Sequence, residues 1–296
     1  DSEQAKVREI NSGIYWFKAE KLSGLLDKLG NNNAAGEYYL TDTVAVAEKK
    51  GVYTADSTDV VLGANSRSQL AALNEVARKR KLAELMDEGV DIPLSDGIII
   101  GKDVKIGHDT VILPNTIIKG KTVIGNGCEI GPNSYIADCV IEDNVILNNV
   151  QAHESKVDSK AKAGPFVHLR PNTHLHSGVK IGDFVEVKNS EIGINTCIAH
   201  LTYIGDSDVG KGVNFGCGCV TANYDGIKKY RTTIGDNAFI GCNTNLIAPV
   251  TIGDNATTAA GSTITKNVPA DSLAVERGQT RIIEHWEKNS KRIKKA

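Results

Sequence analysis

Large rings are scarce in this chain: only 5% of its 296 residues are aromatic, while 29 are glycine. That composition suits a narrow core with little room for bulky side chains. Charge of one sign is equally scarce. The 34 Lys and Arg against 36 Asp and Glu leave a formal net charge of −2, so nothing global points to nucleic acid or to an anionic membrane. No apolar run approaches the roughly 20 residues of a spanning helix, and no secretory signal is recognisable. The six cysteines, at 128, 139, 197, 217, 219 and 242, form no CxxC and no spacing that suggests zinc. They read as small core and corner residues in a reducing, cytoplasmic compartment. The start, DSEQAKVREIN, lacks an initiator Met and reads as the middle of a domain, so a fragment or a processed product is expected.

What the chain does have is a period of six. Ile100, Ile106, Ile112, Ile118, Ile124, Ile130 and Ile136 follow one another at that spacing, and Ile234, Ile240, Leu246, Ile252 and Ile264 resume it in phase. Four residues after each comes a small or β-branched one, such as Thr110, Thr116, Thr122, Cys128 and Ser134. Six fits neither an α-helix nor an amphipathic strand, so each hexad should be a short strand plus a corner, with three hexads closing a triangular coil. The apolar residues point inward and stack at the ~4.8 Å strand spacing. Between the two regular stretches the register slips by one at Val187 to Ile192 and at Ile204 to Val209; a shortened hexad tightens a corner without breaking the stack. Residues 222 to 233 are too long and too polar for a corner and should project as a loop.

The first 65 residues differ. REINSGIYWF reads as a strand opening, KAEKLSGLLDKL as an amphipathic helix, EYYLTDTVAVAEKKG as a second helix, and VYTADSTDVVLGAN as two strands with a turn. This is an α/β remnant, too short for a complete nucleotide-binding domain. Residues 66 to 89 form a helix with apolar positions Leu70, Leu73, Val76, Leu82, Leu85 and Met86, whose RKRK run reads as a solvated face. The expected organisation is a remnant over 1–65, a linker helix and lead-in over 66–95, a prism over 96–275 and a basic tail over 276–296.

The stretches GPFVHLRPN, DFVEVKNSEIG, AHLTYIGDSDVG and VNFGCGCVTANYDGIKKYRTTIGDNAFIG, added to the hexads, resemble a bacterial family with two activities. Its members are N-acetylglucosamine-1-phosphate uridylyltransferases and glucosamine-1-phosphate N-acetyltransferases. NSGIY, GEYYLTD and GANSRSQL resemble the end of the family's uridylyltransferase domain, so the likeness runs the whole length of the chain. It implies a mainly β fold, a left-handed parallel β-helix of hexapeptide repeats preceded by the α/β remnant and the linker helix. Rules for parallel crossovers would have suggested the opposite hand.

Amide formation on an amino sugar needs a base for the amine proton and donors for the oxyanion formed when a thioester is attacked. His200 is the best base, since imidazole titrates nearest neutral pH, and it stands in AHLTY, the family's catalytic-base motif. Arg170 and Lys188 lie 18 residues apart, three hexads, and so should share one face on neighbouring coils; two cations there suit a sugar phosphate. The resemblance carries both to substrate binding, with Tyr203, Asn214, Asn223, Tyr224 and Lys229, and gives Glu186 a role in orienting the sugar amine. It assigns acetyl-CoA, a co-substrate, to Cys217, Cys242, Ala260 and Arg277. The two cysteines depart from the Ala and Ser expected in the family, and a thiol is a weaker donor than a hydroxyl. Arg277 opens the tail, whose seven Lys or Arg against two Glu read either as a frayed terminus or as a cap that draws the cofactor's phosphates.

For the other activity, the family's Gly-rich loop and its Mg²⁺-binding Asp are missing from this sequence. Asn11 matches a sugar-nucleotide contact and Asn65 the Mg²⁺ ligand, so the resemblance implies UDP-N-acetylglucosamine synthesis by the intact protein and acetylation alone by this chain. Two other readings compete with this one: a hexapeptide acyltransferase with a different acceptor, and a non-catalytic assembly domain. A metal site like that of a carbonic anhydrase would need three convergent histidines; His174 and His176 share a face, with no third in view. The flat faces of a prism can pack about a threefold axis, and the resemblance implies a homotrimer acting on small molecules, with no nucleic acid and no membrane insertion.

Overall fold

The computed structural model describes residues 6–284. Of these, residues up to 76 form one compact unit and those from 77 onward another. The end of the basic tail, with most of its cations, lies outside the described residues.

The second unit is the coil that the hexads demand. Strands of two to four residues assemble into three parallel sheets of 10, 9 and 10 strands. The first sheet runs from Ile99–Ile100 to Thr263–Ile264, the second from Lys105–Ile106 to Val250–Ile252, and the third from Val111–Ile112 to Leu273–Ala274. Successive strands in the sequence fall on successive sheets, so the chain winds round a triangle as a left-handed β-helix. Strand partners are 18 residues apart where every corner is full, as in Ile118↔Ile136, and 17 where one is short, as in Val187↔Ile204. Ile112, Ile118, Ile130 and Ile136 have no exposed surface, each stabilising the stack by about 1.5–3 kcal/mol relative to an exposed side chain.

The small position of the hexad is buried as well, and its chemistry explains the choice of Thr. Thr196 Oγ1 donates to Gly210 O at 2.8 Å and accepts from Val213 N at 3.1 Å, tying one coil to the next. Corners turn on residues in the left-handed region, mostly Asn and Asp, among them Asn115, Asn133, Asn172, Asn189 and Asp206, the side chains that tolerate it best. The steps of five, Ile136 to Ile141, Ala152 to Val157, Val187 to Ile192 and Ile204 to Val209, all fall at the corner from the first sheet to the second. A fifth, Leu147 to Ala152, falls at the corner from the third sheet to the first. The open end of the coil is covered by Leu82 and Leu85, the buried residues of helix Arg67–Asp87, which shields edge backbone. Arg78 of the RKRK run is not merely solvated: its Nη1 donates to Ser95 O at 3.0 Å.

Coils approach closely beneath the later site. A Cβ on Gly182 would stand 2.0 Å from Ala199 O. Gly182→Ala is therefore expected to cost about 1–3 kcal/mol, as overpacking does; an unchanged midpoint in denaturant unfolding would show that the gap relaxes.

The first unit corrects the strand expectations. It contains helices Ala19–Leu26 and Asp42–Val46 and a 3₁₀ turn Thr58–Val61, and no strand among the described residues. REINSGIYWF is irregular there, VYTADSTDVVLGAN is irregular apart from the 3₁₀ turn, and Trp16, Val52 and Tyr53 are exposed. Isolated β segments are stable only when paired, and here they find no sheet to join. Only Thr43 is fully buried in this unit among the described residues.

Candidate active site

Four expected residues stand in one column on the corner from the third sheet to the first. His200 ends strand Cys197–His200 and pairs with Asp183 on the preceding coil. Backbone amides one residue on continue the alignment: Leu201 N donates to Asp183 O at 2.9 Å, Gly218 N to His200 O at 3.4 Å, Asn243 N to Cys217 O at 2.7 Å, and Gly261 N to Cys242 O at 2.8 Å. Asp183, His200, Cys217, Cys242 and Ala260 thus occupy the same place on successive coils. Glu276 N donates to Ser262 Oγ at 3.1 Å, which brings the chain back to this end of the prism just before the exposed Arg277.

The corner beside His200 has an unusual build. Where most other turns use Asn, Asp or Gly, Phe166, Phe184 and Leu201 take φ of 57°, 58° and 47°, a costly conformation for bulky residues that concentrates at functional sites. The two phenylalanines stack face to face at 5.3 Å. The His200 imidazole is exposed and has no hydrogen-bond partner among the described residues. Cys217 is half-buried and Cys242 exposed, so both thiols are open to a ligand; Cys219 between them is buried, which pushes its thiol up to about 11.

A second group lies across the first sheet. Glu186 and Tyr203 are paired neighbours on its outer face. Arg170 and Lys188 follow the paired Leu169 and Val187, so they stand beside each other at the corner to the second sheet. Arg170 Nη1 binds Glu186 Oε1 at 2.8 Å. Lys188 Nζ lies 3.5 Å from both oxygens of Asp206, a carboxylate that Asn189 and Asn223 also donate to. Burial alone would raise the Asp206 pKa, but the two amides and the Lys188 ammonium outweigh it and hold the group below its ordinary value. The two cations and two acids cancel. A dianionic phosphate would need a further cation, and Lys229 makes no ion pair among the described residues.

Lys229 belongs to the projecting loop, which leaves the same corner. Tyr224 and Lys229 form an antiparallel bridge, Tyr230 N donates to Asn223 O at 2.8 Å, and Asp225 Oδ1 accepts from Ile227 N and Lys228 N at 2.8 Å each. Its return is pinned by Arg231, whose Nε donates to Asp208 Oδ2 at 2.8 Å and whose Nη1 donates to Asn189 O at 3.2 Å. Arg231→Ala is expected to speed hydrogen exchange at Ile227 and Lys228 by about tenfold, the effect of losing one charge-assisted bond. Equal exchange rates would show that the loop holds itself.

Some expected residues stand apart. Asn214 lies on the outer face of the third sheet between Cys197 and Phe239. Asn11 and Asn65 belong to the first unit: Asn11 Oδ1 accepts from Gly13 N at 3.0 Å, and Asn65 N donates to Gln69 Oε1 at 2.7 Å at an exposed bend. A lone amide oxygen does not make the six-oxygen shell that Mg²⁺ requires, so Asn65 by itself does not fit that ion. The sequence reading missed Asn189, Asp206 and Arg231. A pointer to the first two was available: both sit at the shortened hexads.

The fold and these two groups define a hexapeptide-repeat β-solenoid, and residues 231–266 match the family described as bacterial transferase hexapeptide (six repeats). Over 96% of its length the chain is 50% identical to the bifunctional protein GlmU of Acetivibrio thermocellus and covers 62% of it. It is 48% identical to the protein of that name from Clostridium acetobutylicum, over 96% of this chain and 63% of that one. The chain is thus a homologue of bifunctional GlmU proteins and spans less than two thirds of their length, in agreement with the resemblance carried by its motifs. A solved UDP-N-acetylglucosamine acyltransferase of Francisella novicida is similar at 17% identity with a TM-score of 0.40, over 60% of this chain and 64% of that one. That likeness is too distant to carry an argument.

Proposed function

We propose that the prism is an acetyl-CoA-dependent glucosamine-1-phosphate N-acetyltransferase with His200 as general base. The observation that carries this reading is the column: His200 stands one coil from Cys217 and two from Cys242, the positions proposed for the acyl donor. The amine nitrogen attacks the thioester carbonyl carbon and the C–S bond breaks. His200 takes the amine proton as the N–C bond forms, and the departing sulfur is released as free thiol. Arg170, Lys188 and Lys229 hold the sugar phosphate, while Glu186 and Tyr203 on the sheet between the two groups line the sugar. Asn223 and Tyr224 support the loop base.

These groups sit on two convex corners and the faces beside them, with Asn214 on a third side. Side chains diverging from a prism cannot all converge on one small molecule, so we propose a homotrimer in which a neighbouring prism faces the His200 corner and completes the site. Arg277 would meet the cofactor's phosphates by charge. In the intact protein, UMP transfer from UTP with Mg²⁺ would follow as a second activity, which we propose this chain lacks.

The test is release of free thiol when the chain meets acetyl-CoA and glucosamine 1-phosphate. Saturable turnover, with no pyrophosphate from UTP and N-acetylglucosamine 1-phosphate, is expected. Equal turnover on an unphosphorylated amino sugar would sink the acceptor assignment, and silence from a folded trimer would sink the reading itself.

A further inference from the structure

The outer face of the second sheet holds a cluster that the proposed reaction does not use. His174 lies in strand His174–Leu175, paired with Lys156 on one side and Glu191 on the other. Asp158 and His176 follow the paired Val157 and Leu175, which places them side by side on neighbouring coils. The two imidazoles lie 3.9 Å apart, centre to centre. Asp158 spans one edge of the ring pair, with Oδ1 2.9 Å from His174 Nε2 and Oδ2 3.3 Å from His176 Nδ1. Glu191 spans the opposite edge, with Oε2 2.9 Å from His174 Nδ1 and 3.0 Å from His176 Nε2.

Donor and acceptor accounting makes this arrangement informative. A neutral imidazole has one N–H and one lone pair, yet each ring meets a carboxylate at both nitrogens. Aligned hydrogen bonds join His174 Nε2 to Asp158 and His176 Nε2 to Glu191, and each Nδ1 lies within 3.3 Å of a second carboxylate oxygen, which crowds its lone pair unless the ring is charged or a cation lies between them. Two imidazolium ions 3.9 Å apart would repel each other. A cation on the Asp158 edge relieves this crowding, because His174 Nε2 and His176 Nδ1 can then face it with their lone pairs while small ring rotations let the other two nitrogens donate to Glu191.

We propose that Asp158, His174 and His176 form a binding site for a divalent transition metal of the zinc class, with Glu191 as the outer carboxylate that fixes both imidazole tautomers. Two imidazoles and one carboxylate are a common set for such ions, and a carboxylate behind the ligating rings is their usual support. One ligand atom from each of the three residues already lies within 4.8 Å of the others. Small side-chain shifts bring these to the ~3.3 Å expected between ligands of a tetrahedral ion. Lys156 Nζ, 2.9 Å from Asp158 Oδ1, competes for that oxygen; Glu142, 3.8 Å from the same ammonium, gives it another partner when the ion binds. With Glu191 behind the rings, three coils would be fastened together on this face.

Cobalt is the probe. After chelation and dialysis, Co²⁺ titrated into the whole chain is expected to give a saturable visible absorption, one ion per chain, without the near-ultraviolet band of thiolate ligation, and Zn²⁺ is expected to abolish it. His176→Leu and Asp158→Asn should each weaken binding at least about 100-fold, and Glu191→Gln by about 10- to 100-fold. Lys156→Ala should tighten binding severalfold. Far-ultraviolet circular dichroism establishes that each variant is folded; if His176→Leu is not, the Glu191→Gln and Lys156→Ala shifts decide. No saturable absorption, a thiolate band, or equal affinity in the folded variants would overturn the site and leave a cluster of ion pairs.

Discussion

His200→Ala is expected to lower turnover with acetyl-CoA and glucosamine 1-phosphate by about 10²- to 10⁴-fold, the usual worth of a positioned base. The Michaelis constant for the sugar phosphate should move little, because the cations proposed to hold the phosphate stand at the other corner of the first sheet. The fold should be untouched, since His200 is exposed and its backbone carries the coil contacts. Added imidazole should restore part of the lost rate by entering the space left by the ring. Free-thiol release measured against both substrates separates these effects. A variant that keeps more than about a tenth of wild-type turnover would show that another group takes the proton.

Asp206→Ala should harm stability and binding together. The carboxylate is nearly buried, with only 7% of its side chain exposed, and it is the shared acceptor for Lys188, Asn189 and Asn223. Removing it leaves the Lys188 ammonium, on a side chain only 19% exposed, without its counterion, a loss of about 3 kcal/mol. It also frees Asn223, where the projecting loop begins, so the Michaelis constant for the sugar phosphate should rise about tenfold or more. The pH dependence follows from the same contacts. The folded Asp206 pKa lies below the value in the unfolded chain, so its stabilising contribution is present above about pH 4 and is lost as the pH falls through the folded value. Wild type should therefore lose stability on acidification in part through this group, and Asp206→Asn should lack that part. Denaturant midpoints compared above and below about pH 4 measure it; parallel curves for the two proteins would remove Asp206 from the keystone position.

The hexads made the prism legible because the inward residue, the small buried residue and the corner recur with a period that only a three-sided coil satisfies. The first unit was misread for the opposite reason: β-rich composition in VYTADSTDVVLGAN states a preference, and pairing partners decide whether it is met. The 18-residue interval of Arg170 and Lys188 showed their adjacency, and Glu186 was named for the sugar amine, but its ion pair with Arg170 and the Asp206 carboxylate were hidden because these acids lie on other positions of neighbouring coils. The column of His200, Cys217, Cys242 and Ala260 was harder still. Its intervals are 17, 25 and 18, made irregular by one short corner and one long loop. The His174 and His176 pair is visible in the sequence, but no third histidine joins it, because the groups facing the rings are carboxylates supplied by adjacent coils.

Along the prism the corner from the first sheet to the second is crossed by full hexads, by hexads one residue short and by the whole 223–231 loop, while the buried residues on either side keep their places. The other two corners hold their length more closely. This edge therefore acts as a seam at which the chain can gain or lose residues without passing the change on to the next coil. Grafted peptides or reporter segments should be accepted there, at the short corner between Ile136 and Ile141, which carries none of the Lys188 and Asp206 group, and refused at the edge that bears His200.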